Sequence, residues 1–235
     1  LAILASLQAA ALRVSGERPS SFYGSSGLLE MELCDLANEV AEDISQYQDW
    51  QTLTKVHSLT GDGSTEEFDF PDDYDRQLLN ADVQDLQSWA WGYEHITDIN
   101  DFLYQRQRGM ILTPGAWTIY GGKMHFTPPP TGDASFPYIS RNYALDSATM
   151  ELKSQFDADT DDFILVDLRA AKGRRLITLG LVWRWREQKK LDFSGDQEAF
   201  VKALDEYASK DAGSKVIRYG GRFFNRRGPW PWVRA

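Results

Sequence analysis

The sequence predicts an α+β fold: a mainly helical body built from both ends of the chain, a β-rich insertion between them and an extended C-terminal arm. Three observations carry this reading. Leu29, Leu33, Leu36, Val40, Ile44 and Tyr47 recur at three- and four-residue steps, which places them on one face of a helix. Arg174 to Tyr207 reads as two further amphipathic helices joined by a short turn. From Trp50 the period switches to strand-like alternation punctuated by glycine and proline turns. The parts divide as a helical segment over 1–50, an insertion over 51–150, a helical hairpin over 151–213 and an arm over 214–235.

Taken in order, the first 14 residues form a helix with Ile3, Leu4, Leu7, Ala10 and Ala11 on one side, ending near Ser15-Gly16. After a polar loop, Ser25 and Ser26 offer caps for the helix that carries the six-residue stripe, with Glu30 and Glu32 in its first turns, where carboxylates suit the helix dipole. Its other face carries Glu39, Glu42 and Asp43, a solvated surface on residue type alone. Leu53–Leu59 and Phe68–Phe70 alternate on either side of Gly61-Asp62-Gly63-Ser64 and predict a hairpin. This glycine cluster lacks the lysine and the strand-to-helix setting of a phosphate loop. Trp117–Tyr120 and Lys123–Phe126 flank Gly121-Gly122, a pair that tolerates the positive φ angles of a two-residue turn, and predict a second hairpin. Between them Val83–Tyr93 reads as extended, and Asp98 caps a short helix carrying Ile99, Phe102 and Leu103. Pro128, Pro129 and Pro130 impose an irregular segment, after which Phe136–Arg141 is the last predicted strand.

Asp157, Asp159 and Asp161 alternate as calcium ligands do, but the sixth position of such a loop is Asp162 rather than glycine and the twelfth is Leu168 rather than glutamate. The segment reads as an acidic linker into the helical hairpin, whose first helix begins between Asp167 and Arg175. Leu176, Leu179, Val182 and Trp183 share one face of that helix, and Phe200, Leu204 and Tyr207 repeat the pattern in the next, with Ser194 and Gln197 spaced as a capping box. Two such helices cannot bury their stripes alone. The stripe at Leu28–Tyr47 is the partner expected for them, so the two ends of the chain pack together.

With 235 residues, 42% apolar and 13% aromatic, the chain holds enough apolar material for a sizeable core. Its one cysteine, Cys34, excludes an intrachain disulfide and favours an intracellular origin. No apolar run reaches the ~20 residues of a membrane span, and the apolar LAILASLQAAALRV has no basic leader. His57, His95 and His125 are scattered, so no zinc spacing arises, and no metal or cofactor is expected. No catalytic motif is present; an enzyme would have to be assembled from Trp89, Trp91 and Trp117 as glycan platforms with two unspecified carboxylates.

The net charge of −10 is unevenly distributed. Residues 214–235 carry Lys215, Arg218, Arg222, Arg226, Arg227 and Arg234 and no acid, which gives +6 and leaves −16 on the rest. Phe223, Phe224, Trp230 and Trp232 are interleaved with these arginines, and glycines and prolines forbid a long helix. Arginine and tryptophan are frequent interface anchors, so the segment reads as an arm that docks on a partner. One alternative is that the arm folds back on its own domain; the other is nucleic acid, through backbone contacts and base stacking, although an acidic body repels phosphates.

The N-terminal helix, the helix ending in EDISQYQDWQTLTK, the turn VHSLTGDGSTEEFDFPDDYDR, the GLVWRWREQKKLDF helix and the basic arm together resemble the adaptor class of head-to-tail connector proteins of tailed bacteriophages and related phage-like particles. The resemblance implies a non-enzymatic virion protein made in the bacterial host cytoplasm and forming a twelvefold homo-oligomeric ring beneath the portal protein. Neck, tail or fibre proteins would bind below, and genomic DNA would pass through the lumen without specific binding. The arm, through Arg218, Arg222, Phe223, Phe224, Arg226, Arg227, Trp230 and Trp232, would insert between portal subunits. Arg184, Arg186, Lys189 and Lys190 are then candidates to meet acids of the next copy, with Glu39, Glu42 and Asp43 as candidate acids; contact of these bases with DNA is the alternative.

Overall fold

The structure, a computed structural model, describes residues 2–78, 83–84, 92–107, 115–165 and 171–212. Among the described residues, five helices and ten short strands follow one another in an α+β fold. The chain divides into two compact units. The first comprises Leu1–Thr54, Asp73–Arg76 and Ile139–Gly213, and the second includes Lys55–Asp72 and Gln77–Tyr138.

The first unit is built around α4 (Ala171–Gln188), against which α1 (Ala2–Val14), α2 (Leu28–Tyr47) and α5 (Ser194–Ala212) pack. Every residue of α4 from Leu176 to Trp183 is buried, so this helix is surrounded rather than laid on a surface. Gly180 sits at the closest approach: a methyl group there would overlap Val40 Cγ1 of α2 and come within 3.1 Å of Phe200 Cε2 of α5. Its hydrogen atom is what allows three helices to meet. The six-residue stripe of α2 faces this junction through Leu33, Leu36, Val40 and Ile44, while Tyr47 is exposed and donates to Asp205. On α1, Ile3, Leu7, Ala10 and Ala11 are fully buried. The two ends of the chain thus form one core.

Two predicted caps are replaced. Gly27, not Ser25 or Ser26, is the N-cap of α2, with the Glu30 carboxyl folded back over it, and Ser25 Oγ accepts from the Gly27 N–H at 3.3 Å. At α5 the capping box does not form. Helical bonding starts one residue earlier, with Gln197 N donating to Phe193 O at 2.9 Å, and Asp192 takes the Ser194 hydroxyl and N–H.

The segment read as an acidic linker is ordered. Short strands β8 (Ala144–Leu145), β9 (Leu152–Lys153) and β10 (Asp162–Phe163) form a small antiparallel sheet in the order β10-β8-β9, so Phe136–Arg141 is not the last strand. Backbone satisfaction explains the order. Asp161 O and Asp159 O accept from Ile3 N at 2.9 Å and Leu4 N at 3.3 Å, two of the free donors at the start of α1. The Asp159 carboxylate accepts from Phe22 N at 3.1 Å, Tyr23 N at 3.2 Å and Ser21 Oγ. Asp161, fully buried, accepts from Asp157 N and Ala158 N and pairs with Lys153 at 2.9 Å. Asn38 of α2 joins the same region by accepting from Phe156 N at 2.7 Å and donating to Phe156 O at 3.2 Å, beside the rings of Tyr143, Phe156 and Phe163. Burial there pushes the Tyr143 hydroxyl up to about 12.

The C-terminal turn of α2 is closed by Trp50, which donates to Ile44 O at 2.7 Å, and by Arg76. Arg76 lies in β3 (Tyr74–Gln77) and donates to Ser45 O at 3.3 Å and Gln48 O at 2.9 Å while pairing with Asp49 and Asp75. A cation at a helix C-terminus satisfies free carbonyls and complements the dipole. The Asp73–Arg76 segment is itself held by Arg141 N to Asp73 O at 2.8 Å and Ser140 Oγ to Asp73 Oδ2 at 2.7 Å.

In the second unit a four-stranded sheet runs in the order β2-β6-β5-β4, from β2 (Glu67–Asp69), β4 (Tyr93–His95), β5 (Gly115–Tyr120) and β6 (Lys123–Thr127). The β5–β6 hairpin turns through Gly121 and Gly122 at φ 61 and 77, as predicted. Phe126 gathers Phe68, Tyr93 and Trp117 within 5.2–6.2 Å. Helix α3 (Ile99–Gln107) starts at Asp98, whose carboxylate accepts from Asn100 N at 2.8 Å, and buries Phe102. The first predicted hairpin does not form: β1 (Thr54–Thr60) pairs with β7 (Asp133–Ser140), whereas β2 pairs with β6. The turn between them is drawn to residues 130–132 by Gly61 N to Gly132 O at 3.1 Å and Gly63 N to Pro130 O at 2.7 Å, and Asp62 closes it by accepting from Ser64 N and Thr65 N.

Gly180→Ala should lower stability by about 1–3 kcal/mol through overpacking against Val40, despite the roughly 1 kcal/mol by which alanine is the better helix former. Urea denaturation reads the difference, and Val40→Ala added to it should recover most of the loss. Asp159→Ala, which strips three donors of their acceptor, should cost about 1–3 kcal/mol in the same assay. Burial, together with the nearby Asp159 and Asp35 charges, pushes the Cys34 thiol up to about 12. At pH 7.5 the thiolate is scarce, so alkylation of the folded chain by iodoacetamide should run at least tenfold slower than in denaturant; equal rates would contradict this environment.

Candidate assembly interface

Of the residues expected to meet a partner, the whole docking arm, Arg218 to Trp232, lies outside the described residues, as do Trp89 and Trp91. Trp117 is 1% exposed and packed on Phe126, so it is a core residue and no platform for a glycan. The three histidines each lie against a ring of the second unit: His57 on Phe136, His95 on Trp117 and His125 on Tyr120. Among the described residues no group of three or more histidine, cysteine, aspartate or glutamate side chains is placed to hold a metal ion, and no helix is long and apolar enough to cross a membrane.

The charged candidates sit on α2, α4 and the turn after α4, and most find partners within the chain. Arg184 pairs with Asp43 of α2 and with Glu187 at 3.3 Å, and its guanidinium lies 4.3 Å from the Trp183 ring. These carboxylates hold Arg184 firmly in its charged form against the opposing effect of burial. Arg186 pairs with Asp196 at the start of α5, where a carboxylate also suits the helix dipole. Lys189 reaches Glu32 at 2.7 Å and lies over the Trp185 ring. Three bases therefore fasten α4 to its neighbours. Lys190, at φ 56, ends α4 and is exposed, and Glu39 and Glu42 are exposed on the outer face of α2. None of these three has an ion-pair partner among the described residues.

Two features escape sequence reasoning. The first is the tip of the β8–β9 hairpin. Met150 N donates to Asp146 O at 2.8 Å, Asp146 N to Glu151 O at 2.9 Å, and the Asp146 carboxylate accepts from Ala148 N at 2.7 Å, which lowers its affinity for a proton. Met150 closes this turn at φ 61 and is 69% exposed; Leu152 beside it is 37% exposed. The second is a groove of about 430 Å³ between Arg175 of α4 and the outward face of α5. Gly195, Ala199 and Ala203 form its floor at four-residue steps, and Glu198, Lys202 and Glu206 line it. A methyl group at Gly195 would meet nothing within 4 Å. Small residues on α5 were visible in the sequence, but nothing local marks them as the floor of an open groove.

No curated protein matches the chain in sequence. A family model described as SU10 adaptor protein matches residues 3–220, from the first turn of α1 through the last described helix and into the basic arm. The chain belongs to the SU10 adaptor protein family, which bears out the resemblance to phage head-to-tail adaptors.

Proposed function

We propose that this chain is a structural, non-enzymatic component of the virion neck, which closes with its own copies into a twelvefold ring beneath the portal and joins a filled capsid to the neck and tail. The family match over residues 3–220 carries the reading. The helical first unit supplies the ring wall, with neighbours meeting through different patches so that rotation between copies closes the ring. The exposed Glu39 and Glu42 of one copy and Lys190 of the next contribute at the rim of this contact; Arg184, Arg186, Lys189 and Asp43 reach it in geometries fixed by their intrachain partners. The β-rich second unit meets neck, tail or fibre proteins. The arm inserts between portal subunits through Arg218, Arg222, Phe223, Phe224, Arg226, Arg227, Trp230 and Trp232. A charge of −16 outside the arm suits a conduit wall, because carboxylates do not grip passing DNA.

Co-sedimentation with portal-bearing capsids from the same particle tests this, comparing the full chain with a truncation after Gly213. The full chain should pellet in ring stoichiometry and the truncated chain should remain in the supernatant. A folded full-length chain that fails to pellet sinks the portal-docking reading. Retention on free DNA that collapses with salt would assign the arm to nucleic acid instead.

A further inference from the structure

The turn at the tip of the β8–β9 hairpin is one that glycine enters freely and other L-residues enter at a cost. Methionine occupies it, at φ 61, and holds its thioether in solvent at 69% exposure. A flexible loop would relax out of this conformation; here the Asp146 carboxylate and the backbone bonds across residues 146–151 hold it, and Ser147 donates to Thr160 O from the turn that seats α1. Strain kept in place at an exposed apolar residue points to a contact made by that residue. Leu152 extends the knob, and Glu151, exposed and without an ion-pair partner among the described residues, gives its edge a negative charge. Lys153 does not offset that charge, because it is committed to Asp157 and Asp161.

The α4–α5 groove has the complementary form. Its floor of Gly195, Ala199 and Ala203 admits an apolar side chain close to the helix backbone. Lys202 lies between Glu198 and Glu206 on the same helix face, and Arg175 on the opposite wall has no acid partner among the described residues. Knob and groove both belong to the first unit, and the exposure of Met150 means that it does not fill the groove of its own chain. A knob and a pocket formed by different residues of one molecule make a head-to-tail contact, the kind that propagates around a ring.

We infer that the hairpin tip carrying Met150 and Leu152 seats in the α4–α5 groove of a second copy, with Glu151 against Arg175. The inference rests on the ring reading above and names the surfaces through which the copies meet.

In a Cys34→Ser background, chains carrying Met150→Cys alone and Ala199→Cys alone should form an intermolecular disulfide when mixed at high concentration, whereas each alone should give at most a trace. Absence of that cross-link, both free and on capsids, overturns the contact. Met150→Gly should keep or raise the thermal midpoint, because glycine relieves the turn, yet reduce ring occupancy on portal-bearing capsids at least tenfold. Gly195→Trp, whose Cβ has open space and whose ring would occupy the groove, should likewise reduce ring occupancy while the chain stays folded. Unchanged ring formation by Met150→Gly overturns the proposal. So does a variant that still forms rings but no longer binds capsids, since the tip would then face another protein. If the unsubstituted chain does not assemble on capsids, the adaptor reading fails independently, and the cross-link in the free mixture alone decides whether the contact exists.

Discussion

Surrounding α4 is the constraint on which the rest of the first unit depends. A helix buried from Leu176 to Trp183 must be covered on every side, and this chain does so with one helix from after it and two from the beginning of the sequence. The junction at Gly180 allows α2 and α5 to approach closely enough to exclude water. Covering α4 from both ends of the chain in turn requires the start of α1 and the end of α2 to be fixed. Asp159 and Asp161 fix the first, and Arg76 and Trp50 the second.

This changes the meaning of the acidic composition. Asp159 and Asp161 are acceptors for backbone N–H groups, Asp62 and Asp146 close turns, Asp98 starts a helix, and Asp43 and Asp196 hold arginines of α4. Many carboxylates are thus internal fittings rather than free surface charge. The acids left for partners, Glu39, Glu42 and Glu151 among them, are a smaller set than the net charge suggests.

What was legible in the sequence was what repeats locally. The stripes of α1, α2, α4 and α5, the Gly121-Gly122 turn and the Asp98 cap each depend on neighbours within four residues, and each formed. Features set by distant groups were not legible. Gly61 and Gly63 are drawn to residues 130–132, so β1 and β2 part into different sheets. Competition at short range was not legible either: Asp192 takes the Ser194 hydroxyl from the Ser194–Gln197 box, and Gly27 stands at the N-cap of α2 in place of the serines. The charged residues of α2 and α4 looked equally available until the fold brought most of them together, and the groove on α5 takes part of its lining from Arg175 of another helix. The family was legible because the match extends over residues 3–220, nearly the whole chain, so it did not depend on any one of these misread contacts.

The four residues Asp73–Arg76 interrupt what would otherwise be a single excursion of the chain from Lys55 to Tyr138. An excision of that whole stretch as one loop would remove Arg76 with it and leave Ser45 O and Gln48 O at the end of α2 without their donor. The β-rich unit is therefore not a cassette with one entry and one exit. Exchange of this unit between relatives, by recombination or by design, must leave the short Asp73–Arg76 visit behind with the body that it completes.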